Sequence, residues 1–316
     1  MDGIGGFLDI ELRKKEGLHP KALALNSCRN ALRFLVERKK IRTVYIAYYT
    51  CDAVYNALLQ SNVSIEFYHI DKNLLPIGLP NSVDSETIIL YTNYWGICEN
   101  QINWLLNKYG SSVVVDAAQA FFYKPPYGIY AIHSARKFFG VPDGGFLYGN
   151  ISLENLSRDK SFDRFSHLLQ RFECGAEKAY SLYKKAEEKV DKLEILRMSK
   201  LTEALLGCID YSDVYKKRKS NFEFLHSFLG DKNLLNINKF YTIGSVPMVY
   251  PYKTKDITLR QRLIDHKVFV ATYWPNVLQW CNAESVEYDL AINVIPLPID
   301  QRYTVKEITK IVNLIN

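Results

Sequence analysis

The sequence predicts an α/β fold in which a mostly parallel sheet lies between helices, followed by a smaller α+β segment. Short apolar runs alternate with segments of helical periodicity along the first half of the chain. These runs are largely continuous, as expected of strands that are buried on both faces. No fixed repeat and no low-complexity stretch interrupts the 316 residues, so a globular chain with a sizeable core is expected.

The predicted elements follow one another in a regular order. The first helix is predicted over Cys28–Lys39, because Ala31, Leu32, Leu35 and Val36 fall on one face. Asp116 is predicted to end the fourth strand. The strands are predicted at 43–47, 65–68, 87–91, 112–115, 127–133 and 145–148, with further helices at 52–59 and 101–109.

The second half of the chain changes character. Residues 155–210 are mostly helical and charged, and strands at 246–250 and 268–272 follow, with helices at 258–266 and 304–315. This order predicts a large domain over 1–210 and a small C-terminal domain over 211–316, with the N-terminal segment free to join the small domain.

Charge and cysteine content narrow the function classes. The net charge of +6 is mild and fits either anionic ligands or a solvated surface, and the basic run Lys216-Lys217-Arg218-Lys219 is interpreted as an exposed helix face. No nucleic-acid-binding module is expected. The six cysteines have neither zinc-site spacing nor a disulfide pattern. Without a signal-peptide pattern or an apolar stretch of about 20 residues, the expected location is the cytoplasm, with no membrane span.

Polar side chains follow several of the predicted strands. In open α/β sheets, ligands bind outside the carboxyl ends of the strands, so these side chains predict a binding site at one edge. They are Tyr49 and Thr50, Thr92 and Asn93, Asp116 and Gln119, and Ser134 and Lys137.

Asp116 and Lys137 carry the chemistry in this hypothesis. Asp116 could cap the next helix, or accept the ring N–H of a cofactor and keep that nitrogen protonated. Lys137 could be an ordinary surface lysine. Its neighbours Phe138 and Phe139 instead predict a water-poor pocket for an amine that attacks an aldehyde. Ser134 could bind a phosphate oxygen or its own backbone.

The start of the first helix is a second candidate feature. Ser27, Cys28 and Arg29 lie where a helix presents free N–H groups and a positive dipole end, which suits a phosphate. Serine is also an ordinary helix cap, and Arg29 could either pair with phosphate or lie in solvent.

Together these segments resemble the DegT/DnrJ/StrS-type sugar aminotransferases, which are fold-type-I transferases dependent on pyridoxal 5'-phosphate (PLP). The resemblance covers most of the chain. Its motifs are Asn26-Ser27-Cys28-Arg29-Asn30-Ala31-Leu32, Tyr48-Tyr49-Thr50-Cys51, Asn93-Tyr94-Trp95-Gly96, Asp116-Ala117-Ala118-Gln119-Ala120, Ser134-Ala135-Arg136-Lys137, Pro142-Asp143-Gly144-Gly145 and Leu297-Pro298-Ile299-Asp300-Gln301-Arg302-Tyr303.

The resemblance implies a role for each matching residue. Lys137 would form the Schiff base with PLP, Asp116 would contact the pyridine nitrogen, and Gln119 would bond the ring hydroxyl. The phosphate would lie against Ser27, the backbone amides of Cys28 and Arg29, and the Ser134 hydroxyl, while Trp95 or a residue near Thr50 would stack on the ring. A homodimer, an amino donor such as glutamate and a keto-sugar acceptor carried on a nucleotide, used for surface polysaccharide or related biosynthesis, are implied as well.

The chain also departs from the family pattern. Cys28-Arg29 replaces the usual Gly-Thr of the phosphate loop, and Leu196-Arg197-Met198-Ser199 stands where many relatives have an Asn-Tyr-Arg segment. Another PLP reaction, such as a lyase or decarboxylase, and a non-catalytic binding or scaffold role therefore stay open. Lys137 argues against the sugar 3-dehydratases of the family, which have histidine there. No Gly-x-Gly-x-x-Gly follows the early strands, so a Rossmann dehydrogenase fits poorly.

Overall fold

The computed structural model describes residues 5–12, 15–153 and 155–316 of the chain. Within these ranges eight strands form one sheet and two strands form another. The strands are β1 (Leu23–Leu25), β2 (Thr43–Ala47), β3 (Ser64–Ile70), β4 (Pro76–Ile77), β5 (Thr87–Thr92), β6 (Val113–Ala117), β7 (Tyr130–Ser134), β8 (Gly145–Tyr148), β9 (Val249–Lys253) and β10 (Val294–Pro298).

The helices lie between and after these strands. In the described part of the chain, no helix combines the length and apolarity that crossing a membrane requires. The helices are α1 (Cys28–Lys39), α2 (Asp52–Gln60), α3 (Glu99–Tyr109), α4 (Ser166–Cys174), α5 (Ala176–Asp191), α6 (Lys200–Gly207), α7 (Tyr211–Leu229), α8 (Leu259–Asp265), α9 (Val277–Trp280), α10 (Val286–Asn293) and α11 (Val305–Ile315).

The large sheet confirms the predicted, mostly parallel α/β architecture. Its strand order is β1-β8-β7-β6-β5-β2-β3-β4. The pairs β3–β2, β2–β5, β5–β6 and β6–β7 are parallel, whereas β1, β8 and β4 pair antiparallel at the two sides. The carboxyl ends of β2, β5, β6 and β7 therefore meet at one edge, where the polar residues after these strands are brought together.

Each face of the sheet has its own apolar core. Val114 of β6 packs in the core that contains α1, whereas Val113 and Val115 belong to the core on the opposite face. All five residues of β6 are buried, which explains why its sequence is continuously apolar up to Asp116. The strand continues through Asp116 to Ala117, so the aspartate lies inside the strand and not just after it.

The C-terminal part departs most from the predicted strands: the strand predicted at 246–250 is β9 at Val249–Lys253, and a second prediction is wrong. Residues 268–272 form no strand. Instead the Val268 N–H bonds the Leu263 carbonyl and closes α8, after Lys267 turns the chain with a positive φ of 61°. The partner of β9 is β10, whose prolines masked it in the sequence; proline is tolerated in such a ribbon because one side of each strand needs no backbone donor. The predicted domain boundary falls just before α7, and the division into two domains stays a prediction.

The basic run in α7 is only partly an exposed helix face. Lys216 and Lys217 are exposed, but Arg218 is buried, with 1% of its surface accessible. The interpretation of the whole run as solvated was therefore wrong for Arg218, because α7 turns this position toward the body of the protein.

The buried rings of His19 and of His133, a residue of β7, lie side by side. The rings of His19 and His133 lie 4.7 Å apart between centroids. Nε2 of His133 donates to the Tyr123 carbonyl at 2.9 Å, and Nε2 of His19 donates to the Phe121 carbonyl at 2.7 Å. Burial lowers the pKa of His133 to about 4, and burial with the neighbouring His133 lowers that of His19 to about 3. Both side chains are therefore neutral in the folded protein.

This pair should make the protein less stable in mild acid. The ordinary histidine pKa of 6.5 applies to the unfolded chain, so protons bind the unfolded state preferentially and stability falls as the pH drops below 6.5. We expect a loss of roughly 1 kcal/mol per pH unit for each histidine, measured as the urea unfolding free energy at pH 7.5 and pH 5. His133→Gln should make this slope shallower. An unchanged slope in the variant would contradict the assignment.

Candidate active site

Asp116 lies at the carboxyl edge of the sheet and is 5% exposed. Its Oδ1 accepts a hydrogen bond from the Ala118 N–H at 2.9 Å, which turns the chain as it leaves β6. Burial raises the pKa of Asp116, while the Ala118 N–H and the positive charge of Lys137 lower it. The pairing of Asp116 with Lys137 in one cofactor site stays a prediction.

Lys137 lies in the turn that follows β7. The N–H groups of Phe138 and Phe139 donate to the Ala135 carbonyl at 3.1 and 2.9 Å, so the turn is closed by its own backbone. Both phenylalanines are buried, but the Lys137 side chain is exposed. The predicted water-poor pocket around the amine is thus not present in the single chain, because the phenylalanines turn into the core and leave the residue before them facing outward.

Two thiols lie near the same pair of charges. Burial raises the pKa of Cys28, and the carboxylate of Asp116 raises it further, whereas Lys137 lowers it. Burial also raises the pKa of Cys51, which Lys137 lowers and Asp116 raises. Cys28 begins α1 and Cys51 precedes α2, so both thiols lie at helix N-termini. Sequence reasoning missed Cys51, although it lies in the quoted Tyr48–Cys51 motif.

At the start of α1, the side chains have partners within the protein, whereas backbone N–H groups remain available for the predicted phosphate. Ser27 is the helix cap, and its Oγ accepts from the Asn30 N–H at 3.1 Å. The guanidinium of Arg29 pairs with Asp191 at 2.7 Å and lies 4.0 Å from Glu187, both on α5. Because these carboxylates bind the Arg29 side chain, the structure does not support its predicted pairing with phosphate. The cap occupies the Asn30 N–H, whereas the N–H groups of Cys28 and Arg29 have no acceptor within the helix and stay suited to an anion.

Gln119 offers a buried donor at the same edge. Its Oε1 accepts from the Trp95 N–H at 2.6 Å, whereas its Nε2 is buried without a partner among the described residues. A buried donor left without a partner costs free energy unless a ligand satisfies it. Trp95 itself is 1% exposed and packs against Tyr49 and Tyr94, so its stacking on a ligand stays a prediction.

Sequence analysis also did not predict the contacts that the C-terminal part makes with Tyr49 and Thr50. Asn276 donates from Nδ2 to the Thr50 carbonyl at 2.8 Å, and the Trp274 ring lies 4.9 Å from that of Tyr49. The Tyr49 hydroxyl is buried without a partner among the residues that the structure describes. No periodicity in the sequence marks residues 273–276, so only the folded chain shows that they reach this edge.

The Pro-Asp-Gly-Gly motif has a structural role beside the site. Ser134, the last residue of β7, pairs with Gly145, and Gly144 donates its N–H to the Asn26 carbonyl at 2.9 Å. Asp143 is fully buried and accepts from the Ser199 N–H and Oγ, both at 2.8 Å. It thereby secures the cap of α6 against the connection that carries Lys137.

No family model matches this sequence, and no curated protein matches it. Solved structures do share its fold. A DegT DnrJ EryC1 StrS aminotransferase from Brucella abortus superposes with a TM-score of 0.64 at 15% identity, over 93% of this chain and 84% of that one. Helicobacter pylori PseC, an aminotransferase involved in pseudoaminic acid biosynthesis, gives 0.63 at 15% identity over 93% and 85%. S. venezuelae DesV gives 0.62 at 15% identity over 93% and 83%. This chain therefore has the fold of the DegT/DnrJ/EryC1/StrS-type sugar aminotransferases.

Proposed function

We propose that this chain is a PLP-dependent aminotransferase that transfers an amino group to the keto group of a nucleotide-linked sugar. One observation carries the proposal: the buried Asp116 near the end of β6 and Lys137 in the turn after the neighbouring parallel strand β7 lie at the same edge of the sheet, where the charge of Lys137 lowers the pKa of Asp116. The shared fold with sugar aminotransferases supports the same reaction class.

The side chains at this edge fit PLP. A buried carboxylate whose pKa is raised is stabilised by a cationic partner, and the protonated pyridine nitrogen of PLP would be such a partner for Asp116. The unpartnered Nε2 of Gln119 would donate to the ring hydroxyl oxygen. The backbone amides of Cys28 and Arg29 and the Ser134 hydroxyl would hold the phosphate. PLP bound there would supply an electron sink for the bonds to the substrate's amine-bearing carbon.

Lys137 is the residue of this chain that would act on the reacting atoms. Its exposed Nζ would hold the cofactor covalently, be displaced by the amino donor, and then accept the proton from the donor's Cα and deliver it to the former aldehyde carbon (C4') of the cofactor. Asp116 would hold its negative charge beside the ring nitrogen throughout. An exposed amine on a short turn is free to reach both positions.

The proposal is tested by the spectrum of the purified protein with PLP. Visible absorption from lysine-bound PLP should appear, and L-glutamate should remove it while an equivalent of 2-oxoglutarate is formed. Release of carbon dioxide or of a β-substituent without keto-acid formation would point to a decarboxylase or lyase. A protein that takes up no PLP on titration would be a non-catalytic relative.

Asp116→Asn should keep the tether but slow the reaction with glutamate. The amide cannot stabilise a protonated ring nitrogen by charge, so the rate should fall about 10- to 100-fold, as expected for losing a hydrogen bond to a charged group worth about 1.5–3 kcal/mol. Single-turnover absorbance measures this rate. If Asp116→Asn reacted as fast as the wild type, Asp116 would have no part in activating the ring.

We also propose a homodimer in which a second copy covers the exposed side of Lys137. Helix α4 packs beside the Lys137 turn, since Leu168 lies against Gly140. On the α4–α5 pair Leu169, Phe172 and Tyr180 are exposed to solvent, and such a patch is typical of an interface. A partner there would exclude water from the amine.

A further inference from the structure

Arg218 of α7 is a buried cation whose contacts converge on the turn that carries Lys137. Its guanidinium lies 4.3 Å from the centre of the Phe138 ring. Its Nη1 donates to the Met248 carbonyl at 3.0 Å, and its Nε donates to Oε1 of Gln301 at 2.9 Å. Phe138 directly follows Lys137, so the arginine contacts the lysine turn from the side that faces the core.

Gln301 connects Arg218 to Phe138 by a second route. While its Oε1 accepts from Arg218, its Nε2 donates to the Phe138 carbonyl at 2.8 Å. The ring of Phe138 is thus held by Arg218 and its carbonyl by Gln301. The turn's own hydrogen bonds fix its shape, but these contacts from α7 and from the segment after β10 fix its placement.

Among the residues that the structure describes, no carboxylate contacts Arg218 directly. The nearby Asp300 is bound instead by Arg302, through Nε at 2.7 Å and Nη2 at 2.8 Å. Burying a cation against carbonyl and amide oxygens costs free energy that an apolar side chain of similar size would avoid. Such an arrangement favours a defined geometry over maximal stability.

We propose that Arg218 and Gln301 are positioning residues for Lys137, linking its turn to the C-terminal part of the chain. The inference rests on the proposed function, in which Lys137 must present its amine to the aldehyde of PLP. It adds that the placement of the Lys137 amine depends on the C-terminal part: the amine is placed for reaction only when α7 and residues 299–303 are docked against the turn.

The chain offers a matched control for this link. Asn221, one turn further along α7, donates from Nδ2 to the carbonyls of Ile299 and Tyr303, each at 3.2 Å. Asn221→Ala therefore loosens the same helix from the same segment without touching Phe138. Gln301→Glu, in contrast, acts on Phe138: it keeps an acceptor for Arg218 but removes the donor to the Phe138 carbonyl.

The first measurement needs no cofactor. Amide hydrogen exchange of peptides that cover residues 135–139 should be about tenfold faster in Gln301→Glu than in Asn221→Ala, the ratio that corresponds to one lost net hydrogen bond. Thermal unfolding of both variants is measured alongside. Equal exchange in the two variants would overturn the positioning role.

The second measurement reads the lysine itself. PLP is mixed with each protein, the adduct is trapped with borohydride, and labelling of Lys137 is followed by peptide mass spectrometry. Gln301→Glu should trap PLP about tenfold more slowly than Asn221→Ala. Faster exchange with unchanged trapping would overturn the link to reactivity. If the wild type traps no PLP at Lys137, the proposed function fails, and the exchange comparison alone then decides whether the pair holds the turn.

Discussion

Lys137→Ala should abolish both the visible absorption of bound PLP and the transfer of the amino group. The variant lacks the covalent tether and also the group that moves the proton, so the rate should fall by at least roughly 10²- to 10⁴-fold. Folding should be unaffected, because the Lys137 side chain is exposed and the turn is held by Phe138 and Phe139. Absorbance with PLP, keto-acid formation from glutamate and thermal unfolding measure the three quantities.

Two control variants separate the tether from the charge. Lys137→Arg keeps a positive charge near Asp116 but cannot supply a neutral amine, so it should be as inactive as Lys137→Ala. Lys72→Ala removes another exposed lysine, in the loop after β3, and should behave like the wild type. Substantial transamination by Lys137→Arg would show that charge alone suffices and would refute the covalent role.

Gly145→Ala, at the first residue of β8, should be more destabilising than a methyl addition within the connection from β7 to β8. A Cβ at Gly145 would lie 2.3 Å from the Ser27 carbonyl carbon and 2.5 Å from the Cys28 nitrogen. Both are backbone atoms at the start of α1 and cannot rotate away. We expect a loss of about 3 kcal/mol or more in unfolding free energy, together with weaker PLP binding, because the anion-binding turn is displaced.

Gly140 provides the comparison within the same connection. A Cβ there would meet only Cδ2 of Leu168, at 3.6 Å, which is an ordinary contact. Gly140→Ala should therefore change the unfolding free energy by less than about 1 kcal/mol, whereas Gly145→Ala should not. Urea unfolding of both variants checks the difference. Equal stability of the two would mean that β8 and α1 are less tightly packed than the structure shows.

The elements that depend on local pattern could be predicted from the sequence. The bounds predicted for α1 and β2 agree with the structure, because a buried helix face and a continuous apolar strand leave clear periodicities. That Asp116 and Lys137 lie at the same edge of the sheet also followed from topology, since parallel strands end at one edge. The hydrophobic pattern of the sequence was enough to predict which residues lie at the carboxyl end of each strand.

The contacts that failed to be predicted depend on distant parts of the chain. Arg218 looks like its lysine neighbours until α7 is docked, and β10 was hidden by prolines that a two-stranded ribbon tolerates. The exposure of Lys137 depends on which way a short turn directs its phenylalanines. Sequence periodicity carries no information on such choices, because they are settled by tertiary packing.

The pairing of β1 with β8 bears on the order of folding during synthesis. Leu23 of β1 lies opposite Leu147 of β8, so the N-terminal strand cannot be paired until the ribosome has made the whole parallel sheet. The start of α1 rests on Gly145 and is therefore completed at the same late moment. A nascent chain that ended before β8 could form α1, but the anion-binding turn at the start of α1 would be incomplete.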